Sequence, residues 1–416
     1  MSIVRAGVFS AIATAARLVS GLMVIKLVAW FAGPEGVGKL GQFMSLMSLL
    51  VVLAGGGIGT GIVKYVAEYR ADAEKLKVLL SAGLSYALGA SCVTGVVTLL
   101  FSKSITLSLL GDIRYESVIW VLAIAQMAIA ASNYFVAIIN GFMDVRRVAT
   151  VYVLGSIIGI LATALLAYFF QLYGALLALV LSQAAFLAVS LPLLRYSPYF
   201  DRDFFRPRFD HAMTLRLFRF SVMTLTSALL PPLVNIWIRN HLAARFSWEQ
   251  VGYWQAVSKV SEAYLLFITM AISVYYLPRL SSITEGGTLK AELKTAYRHI
   301  LPVVAVLAGM IYVMREWVTR LLFSEHFAAA NVLYGPQLLG DVVKISSFIL
   351  SYIMLAKAMT TTFILSELIF SATYVGFVYF FTWRYGLVGA MYAFLINYLI
   401  YLAFTIGVAR TYIRRM

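Results

Sequence analysis

Seven charged side chains interrupt long apolar stretches of this 416-residue chain. They are Arg17, Lys26, Lys259, Glu262, Asp341, Lys344 and Glu367. A charge at the centre of a membrane helix costs roughly 2.5–3.5 kcal/mol, so such residues face a wet cavity or a partner of opposite charge. The cations offer ion pairing with an anionic substrate, and the acids offer exchange of protons or cations.

Two of these charge pairs share one spacing. Lys259 and Glu262 lie three residues apart, as do Asp341 and Lys344, so each pair occupies one face of a helix. The spacing fits either local neutralisation or a cavity in which the lysines meet substrate anions while the acids tune or exchange protons. Arg17 has no acidic residue within its own apolar stretch, which favours a functional role.

Depth distinguishes the two cations of the first stretch. Arg17 lies about eleven residues inside it, roughly 16 Å deep at 1.5 Å per residue. Lys26 lies near the other surface, which its side chain can reach by snorkelling. The candidate anion-binding residues are Arg17, Lys344, Lys259 and Lys26. The candidates for ion or proton coupling are Glu262, Asp341 and Glu367.

The composition excludes a water-soluble globular protein. Hydrophobic residues make up 62% of the chain and charged residues only 12%, against about a quarter in soluble domains. The apolar stretches are continuous rather than alternating, which favours membrane helices over a β-barrel. The predicted fold is an all-α polytopic membrane protein. The twelve predicted helices cover 7–32, 41–65, 78–101, 117–140, 148–170, 172–194, 215–240, 250–277, 299–322, 332–356, 361–383 and 386–409.

Basic residues are distributed unequally between the two sets of loops. The chain has a net charge of +15, and 21 of its 33 Lys and Arg residues fall near the termini and in every second loop. Basic loops remain in the cytoplasm, so both termini are predicted to be cytoplasmic. The excess charge is explained by these loops and their contact with anionic lipids, so no nucleic-acid partner is predicted.

Short matches indicate that the chain contains two similar halves. Three pairs recur at offsets of 212 to 214 residues: 35–38 with 249–252, 76–77 with 289–290, and 173–174 with 385–386. Six helices per half make the repeats parallel. We predict an N-terminal lobe over 1–194, a cytoplasmic linker over 195–214 and a C-terminal lobe over 215–416, around a central cavity.

Prolines and glycines mark further positions inside the helices. Pro231 and Pro232 lie in the middle of predicted helix seven, where they favour a hinge or a static kink. The glycine-rich run 54–61 lacks the strand that precedes a phosphate loop, so it indicates close packing or a flexible helix. Cys92 is the only cysteine, which excludes an internal disulfide. No metal and no cofactor is predicted.

Five segments resemble those of Wzx-type flippases, most of all the O-antigen and enterobacterial common antigen translocases. They are VGYWQAVSKVSEAYL at 251–265, VYYLPRLS at 274–281, GPEGVG at 33–38, KYVAEY at 64–69 and LGDVVK at 339–344. The resemblance extends over essentially the whole chain. Its superfamily also includes multidrug antiporters and the peptidoglycan-precursor flippase.

This resemblance implies a transporter of the bacterial inner membrane and not an enzyme. Members move undecaprenyl-pyrophosphate-linked oligosaccharide from the cytoplasmic to the periplasmic leaflet by alternating access. A cationic cavity is implied, a role that Arg17, Lys259 and Lys344 could fill here. The implied partners are the lipid-linked oligosaccharide, membrane lipids, a glycan polymerase and a chain-length regulator.

Two other functions remain open at the level of the sequence. A drug or cation antiporter of the same superfamily would prefer acids without nearby lysines, whereas Glu262 and Asp341 each have a lysine three residues away. A membrane-embedded glycan polymerase or ligase would need a large periplasmic loop, but the longest loop here is on the predicted cytoplasmic side.

Overall fold

The computed structural model describes residues 3–206 and 210–416. The described residues form helices joined by short turns and contain no β-strand, as predicted. The long helices are α1 (Ile3–Ala54), α3 (Ala73–Leu100), α5 (Glu116–Gly141), α6 (Val145–Arg195), α7 (His211–Arg245), α8 (Trp248–Ser282), α9 (Gly286–Val313), α11 (Tyr334–Ala356), α12 (Thr360–Tyr385) and α13 (Val388–Arg415). The short helices are α2 (Gly59–Tyr69), α4 (Ser102–Leu110) and α10 (Arg315–Leu322).

The number of membrane-spanning segments agrees with the predicted number. In the described part of the chain, nine helical stretches are long and apolar enough to cross a membrane. Two of them, Gly7–Ala54 and Val145–Arg195, contain 48 and 51 residues, enough for two crossings each. Counting these two twice, the nine stretches provide eleven of the twelve predicted crossings, and α7, with 35 residues, lies where the remaining one is predicted. The chain is therefore a multi-pass, all-α membrane protein.

Backbone breaks divide the two longest helices where the sequence predicts a boundary. Gly33 in α1 has φ 63° and ψ −164°, and Pro34 follows it. Gln171 in α6 has φ 50° and ψ −129°. A positive φ interrupts the hydrogen-bond ladder of a right-handed helix. The boundaries between predicted helices one and two and between five and six are thereby confirmed.

A third break contradicts the prediction of a continuous helix over 41–65. Helix α1 ends at Ala54, and α2 begins only at Gly59. Gly56 and Gly57 between them have φ values of 59° and 69°, which glycine adopts at little cost. The Tyr86 ring lies so close to Gly56 that a side chain there would clash. The glycine run is therefore a tight turn between two helices.

The chain divides into two compact units. Unit 1 comprises residues up to Ala32 with Lys39–Ile236, and unit 2 comprises Gly33–Gly38 with Trp237–Met416. One core cluster in unit 1 packs α2, α3 and α5 together through buried residues such as Ile62, Leu79 and Ile138. A cluster in unit 2 joins α8, α9, α11 and α13, with Ile272 and Ile349 among its buried members.

Gly38 and Gly252, the last residues of the repeated segments 35–38 and 249–252, lie where these two segments pack together inside unit 2. A Cβ atom on Gly38 would lie 2.6 Å from the carbonyl oxygen of Trp248 and 3.0 Å from the backbone nitrogen of Gly252. A Cβ atom on Gly252 would overlap the Pro34 carbonyl. Glycine at both positions therefore permits direct contact between the backbones of the segment Gly33–Gly38 and the start of α8.

Candidate functional site

Arg17 lines a cavity of about 290 Å³ within unit 1. Its guanidinium lies over the Tyr152 ring of α6, 4.8 Å from the ring centroid. This cation–π contact holds the positive charge without neutralising it. The cavity also has polar lining from Ser132 and Asn133 of α5 and from Gln183 of α6. Since α6 breaks at Gln171, its two parts contribute Tyr152 and Gln183 respectively.

This cavity has the groups that a charged and polar ligand requires. Guanidinium groups bind phosphate oxygens through several N–H donors in one plane. The Asn133 and Gln183 amides and the Ser132 hydroxyl can both donate and accept hydrogen bonds. Lys26 does not belong to the lining and is half-buried further along α1. Of the two candidate cations in the first helix, the structure brings only Arg17 to this cavity.

Lys344 lines a second cavity, of about 300 Å³, within unit 2. Its ammonium nitrogen lies 5.6 Å from the ring centroid of Tyr398 and 5.8 Å from that of Phe394, both in α13. Glu367 of α12 lines the same cavity, together with hydroxyl groups that include Tyr401. The structure thus places one candidate cation and one candidate coupling acid beside the same space.

Asp341 is fully buried and is held by three hydrogen-bond donors. Its Oδ1 accepts from Ser261 Oγ at 2.7 Å and from Gln337 Nε2 at 3.0 Å. Its Oδ2 accepts from the Tyr264 hydroxyl at 2.9 Å. Lys344 is not among the donors to Asp341 in the described part of the chain. The carboxylate therefore fastens α11 to α8, and its i,i+3 spacing with Lys344 does not produce a salt bridge.

The other i,i+3 pair does form a direct ion pair. Lys259 Nζ and Glu262 Oε2 lie 2.6 Å apart, and 55% of the Glu262 side chain remains accessible. Glu262 is also close enough to Lys344 and Arg239 to interact with them electrostatically. The two pairs with identical spacing thus have different structures, and Lys259 has less charge to offer a substrate than Lys344.

Arg239 is a buried cation that the sequence analysis did not name as a candidate. Helix α7 continues to Arg245, so Arg239 lies inside the helix and is only 4% exposed. Its Nε and Nη2 donate to Gln255 Oε1 at 3.0 and 2.8 Å, and its guanidinium lies 5.4 Å from the Trp254 ring centroid. Lys39, which lies between predicted helices one and two, is buried in α1. The apolar pattern marks neither position, because Arg239 is the second-last residue of predicted helix seven and Lys39 lies just before predicted helix two.

Helix α7 runs through both of its central prolines. Pro231 is exposed and Pro232 half-buried, and α7 extends from His211 to Arg245 around them. Each proline lacks a backbone N–H and removes one hydrogen bond from the helix. These losses make this stretch of α7 easier to bend than its neighbours.

The two cavities favour anion binding over metal chemistry. The described residues contain no group of three or more His, Cys, Asp or Glu side chains arranged to hold a metal ion. Each cavity instead combines one cation with neutral hydroxyl groups; the Arg17 cavity adds amide groups, and the Lys344 cavity adds the carboxylate of Glu367. Such a combination suits a ligand with both a negatively charged part and a polyhydroxyl part.

Solved transporter structures share this fold. An inward-facing multidrug resistance MATE family transporter of the MOP superfamily superimposes with a TM-score of 0.79 at 18% identity, covering 96% of this chain and 95% of the other. A MOP superfamily transporter from Pyrococcus furiosus gives a TM-score of 0.66 at 19% identity, covering 99% and 95% of the two chains. At these identities the comparison defines the fold alone.

Sequence comparison defines the family. Residues 5–284 match the family described as "Polysaccharide biosynthesis protein". The chain is 33% identical over 415 residues to proteins named "Lipid III flippase" from Escherichia coli (strain K12) and Shigella flexneri, with 100% of each chain covered. These relatives indicate a transporter rather than an enzyme. The chain therefore belongs to the polysaccharide biosynthesis protein family, and its resemblance to the Wzx-type flippases is confirmed.

Proposed function

We propose that this protein is a flippase that moves a lipid-linked oligosaccharide across the membrane, with Arg17 and Lys344 as contacts for the pyrophosphate. One observation carries the assignment of these residues. Each unit has an intramembrane cation that lines a polar cavity, and neither cation makes a salt bridge there within the described part of the chain. The full-length similarity to flippases supports the substrate class.

The chemistry of such a substrate matches these cavities. A polyprenyl pyrophosphate carries negative charge and a sugar that the hydrocarbon interior cannot solvate, whereas its lipid tail can remain in the bilayer. Arg17 supplies a planar set of donors for phosphate oxygens, and Lys344 supplies a compact charge. Asn133 and Gln183 supply neutral hydrogen bonds for the sugar hydroxyls. Lys259 has a smaller role, because Glu262 already neutralises it.

Among the three acids, Glu367 is the best placed for proton or ion coupling. It lines the Lys344 cavity and is exposed, so its protonation can respond to the occupant of that cavity. Asp341 is fully buried, and its two carboxylate oxygens already accept hydrogen bonds from three donors. Glu262 is accessible but paired with Lys259. We assign the coupling role to Glu367 and a structural role to Asp341.

The proposed direction of transport depends on the orientation of the protein in the membrane, which we infer from the basic loops. We propose that the protein lies in the bacterial inner membrane with both termini in the cytoplasm, and that lobes 1–194 and 215–416, joined by linker 195–214, alternate access to the two sides. The substrate then moves from the cytoplasmic to the periplasmic leaflet, where a glycan polymerase and its chain-length regulator are the further partners.

Reporter fusions test this orientation. Fusions after Arg70 and Arg298 should report cytoplasm, and fusions after Lys39, Arg245 and Arg320 should report periplasm. A fusion after Arg208, predicted to be cytoplasmic, falls outside the described residues. The inverse pattern would overturn both the loop-charge argument and the direction of transport.

Surface glycan in a flippase-deleted strain tests the substrate class and the role of Arg17 together. The wild-type chain should restore export. Arg17→Lys should retain much of it, because a contact inside a wet cavity depends more on charge than on shape. Arg17→Ala should lose most of the export at an equal membrane level of protein. Failure of the wild-type chain to restore export, alongside resistance to drugs, would instead identify a drug antiporter.

A further inference from the structure

A third cavity lies in unit 2, away from Lys344. Its volume is about 750 Å³, and the end of α9, helix α10, the 3₁₀ segment Glu325–Leu333 and the start of α11 surround it. We refer to it as the α10 crevice. Its lining includes charged residues from α10 and from the 3₁₀ segment. The distribution of Lys and Arg between the two sets of predicted loops predicts that this end of α9 lies on the periplasmic side.

An aromatic cluster fixes the wall of the α10 crevice. Phe327 of the 3₁₀ segment is fully buried, 5.1 Å from the Phe323 ring and 6.1 Å from the Tyr253 ring of α8, as measured between centroids. Leu333 is fully buried at the end of the same segment. The polar residues of the segment therefore project from a packed support rather than from a loose loop, which reduces the entropy lost when a ligand binds.

One side of the crevice presents an ordered guanidinium. Arg315 donates through Nη1 to the Tyr312 carbonyl oxygen at 2.8 Å, and its guanidinium lies 4.6 Å from the Tyr312 ring centroid. These two contacts orient the plane of the group. Because a guanidinium has five N–H donors, most of them are still available to a ligand.

Other polar groups in the crevice can form further hydrogen bonds. Thr319 donates to Asn331 Oδ1 at 2.9 Å, which leaves the amide N–H groups of Asn331 for a ligand. The Ser324 hydroxyl is buried and has no hydrogen-bond partner among the described residues. Arg320 and Glu325 are exposed and form no ion pair or hydrogen bond within the described part of the chain. The crevice therefore has neighbouring hydrogen-bond donors and acceptors that are available to a ligand.

The balance of charge distinguishes this crevice from the Arg17 cavity, whose lining among the described residues carries the charge of Arg17 and no carboxylate. Arg315 and Arg320 are offset by Glu316 and Glu325, so the lining has no net charge. A pyrophosphate would meet two carboxylates there. Sugar hydroxyls suit such a lining, because each hydroxyl donates to one group and accepts from another. The Glu325 carboxylate can accept from a sugar hydroxyl, and the Asn331 amide N–H groups can donate to one.

We propose that the α10 crevice is a binding site for the oligosaccharide headgroup on the periplasmic side of the membrane. This inference rests on the proposed flippase function, since that function is what brings a lipid-linked sugar to this surface. The site would hold the sugar after the pyrophosphate has left Arg17 and Lys344. It recognises hydroxyl groups rather than phosphate.

Binding to two probes tests the site. The purified full chain in lipid nanodiscs is titrated with undecaprenyl pyrophosphate loaded with the oligosaccharides of its own cells, and separately with bare undecaprenyl pyrophosphate. Wild-type protein should bind the loaded lipid more tightly. Arg320→Ala and Glu325→Ala should each lower the affinity for the loaded lipid about tenfold and leave the affinity for the bare lipid unchanged. Each substitution removes a charge-assisted hydrogen bond to the sugar. The control Arg384→Ala, which removes an exposed arginine from the end of α12 outside the crevice, should change neither.

The outcomes separate the two claims. If the crevice variants bind both lipids like the wild type, the saccharide site is wrong while the flippase proposal stands. If they lower the affinity for the bare lipid by the same factor, the crevice binds phosphate and the proposal of a sugar site is again overturned. If wild-type protein binds neither lipid while remaining monodisperse, the proposed function fails, and with it the reason for a sugar site.

Discussion

The Tyr264 hydroxyl of α8 donates a hydrogen bond to Asp341 Oδ2 of α11 over 2.9 Å. Ser261, almost one turn earlier on α8, donates to the other carboxylate oxygen. One acid thus receives donors from two positions of a neighbouring helix. Asp341 therefore acts as a fastener between α8 and α11, and Lys344 is free to act on the cavity beside it.

This arrangement separates the effects of two substitutions. Asp341→Ala leaves three buried donors without their acceptor and should cost about 3 kcal/mol or more in the free energy of unfolding. Lys344→Ala should cost less than about 1 kcal/mol, yet should lower glycan export at least tenfold. Thermal unfolding in detergent, measured beside export in cells, checks both. Equal destabilisation by the two substitutions would make Lys344 a structural residue.

The contact between the two repeated glycine motifs predicts a severe packing defect. Gly252→Ala places a methyl group on the Pro34 carbonyl, and Gly38→Ala places one 2.6 Å from the Trp248 carbonyl. Because backbone atoms must move, each should destabilise the protein by about 1–3 kcal/mol. Gly309→Ala is the matched control, since its methyl group meets nothing within 4 Å. Unfolding temperatures for Gly252→Ala and Gly309→Ala that coincide would contradict this contact.

The loop after α6 is fastened to unit 1 by Tyr199. Its ring stacks on Phe142 with centroids 4.0 Å apart, and its hydroxyl donates to Asp144 Oδ2 at 3.3 Å. Burial raises the pKa of Tyr199 to about 12, so the hydroxyl remains protonated and can donate at neutral pH. Tyr199→Ala should therefore release the loop.

Limited trypsin digestion of the folded protein measures this release. Cleavage after Arg202 should become about tenfold faster in Tyr199→Ala, because local opening then exposes the backbone more often. Tyr196→Ala is the control, as its side chain is 80% exposed. Equal cleavage rates in the two variants would show that Tyr199 does not hold the loop.

The two prolines of α7 predict an effect on transport without an effect on folding. Changing Pro231 and Pro232 together to alanine restores two backbone donors and should stiffen the helix. Glycan export should then slow several-fold at an unchanged level of protein in the membrane. Unchanged export would show that the prolines only shape the helix and do not serve as a hinge.

Much of the fold can be predicted from the sequence, because apolar run length determines where membrane helices lie. The boundary at Gly33 is marked by a glycine followed by Pro34, and the boundary at Gln171 lies between two apolar runs. The turn at Gly56 was not predicted as a break, since glycine is also common inside membrane helices. Its role depends on Tyr86, a contact that no local pattern reveals.

The site is predictable only in part. The positions of Arg17 and Lys344 follow from the cost of burying a charge, and both prove to line cavities. The partners of Asp341 do not follow, because Ser261 lies 80 residues away on another helix. The identical i,i+3 spacing does not predict the contacts of the two pairs for the same reason. Lys259 forms an ion pair with Glu262, whereas Asp341 accepts hydrogen bonds from Ser261 and Tyr264 of α8. Packing between helices decides such cases, and it is not encoded in spacing along one helix.

Transbilayer movement in proteoliposomes tests the central claim most directly. The purified chain is reconstituted with undecaprenyl-pyrophosphate-linked oligosaccharide, and the fraction of substrate that moves to the opposite leaflet is followed over time. Wild-type protein and Arg17→Lys should move the substrate, whereas Arg17→Glu should be at least tenfold slower at equal incorporation. Movement by Arg17→Glu at the wild-type rate would contradict the role of Arg17 as the contact for the pyrophosphate.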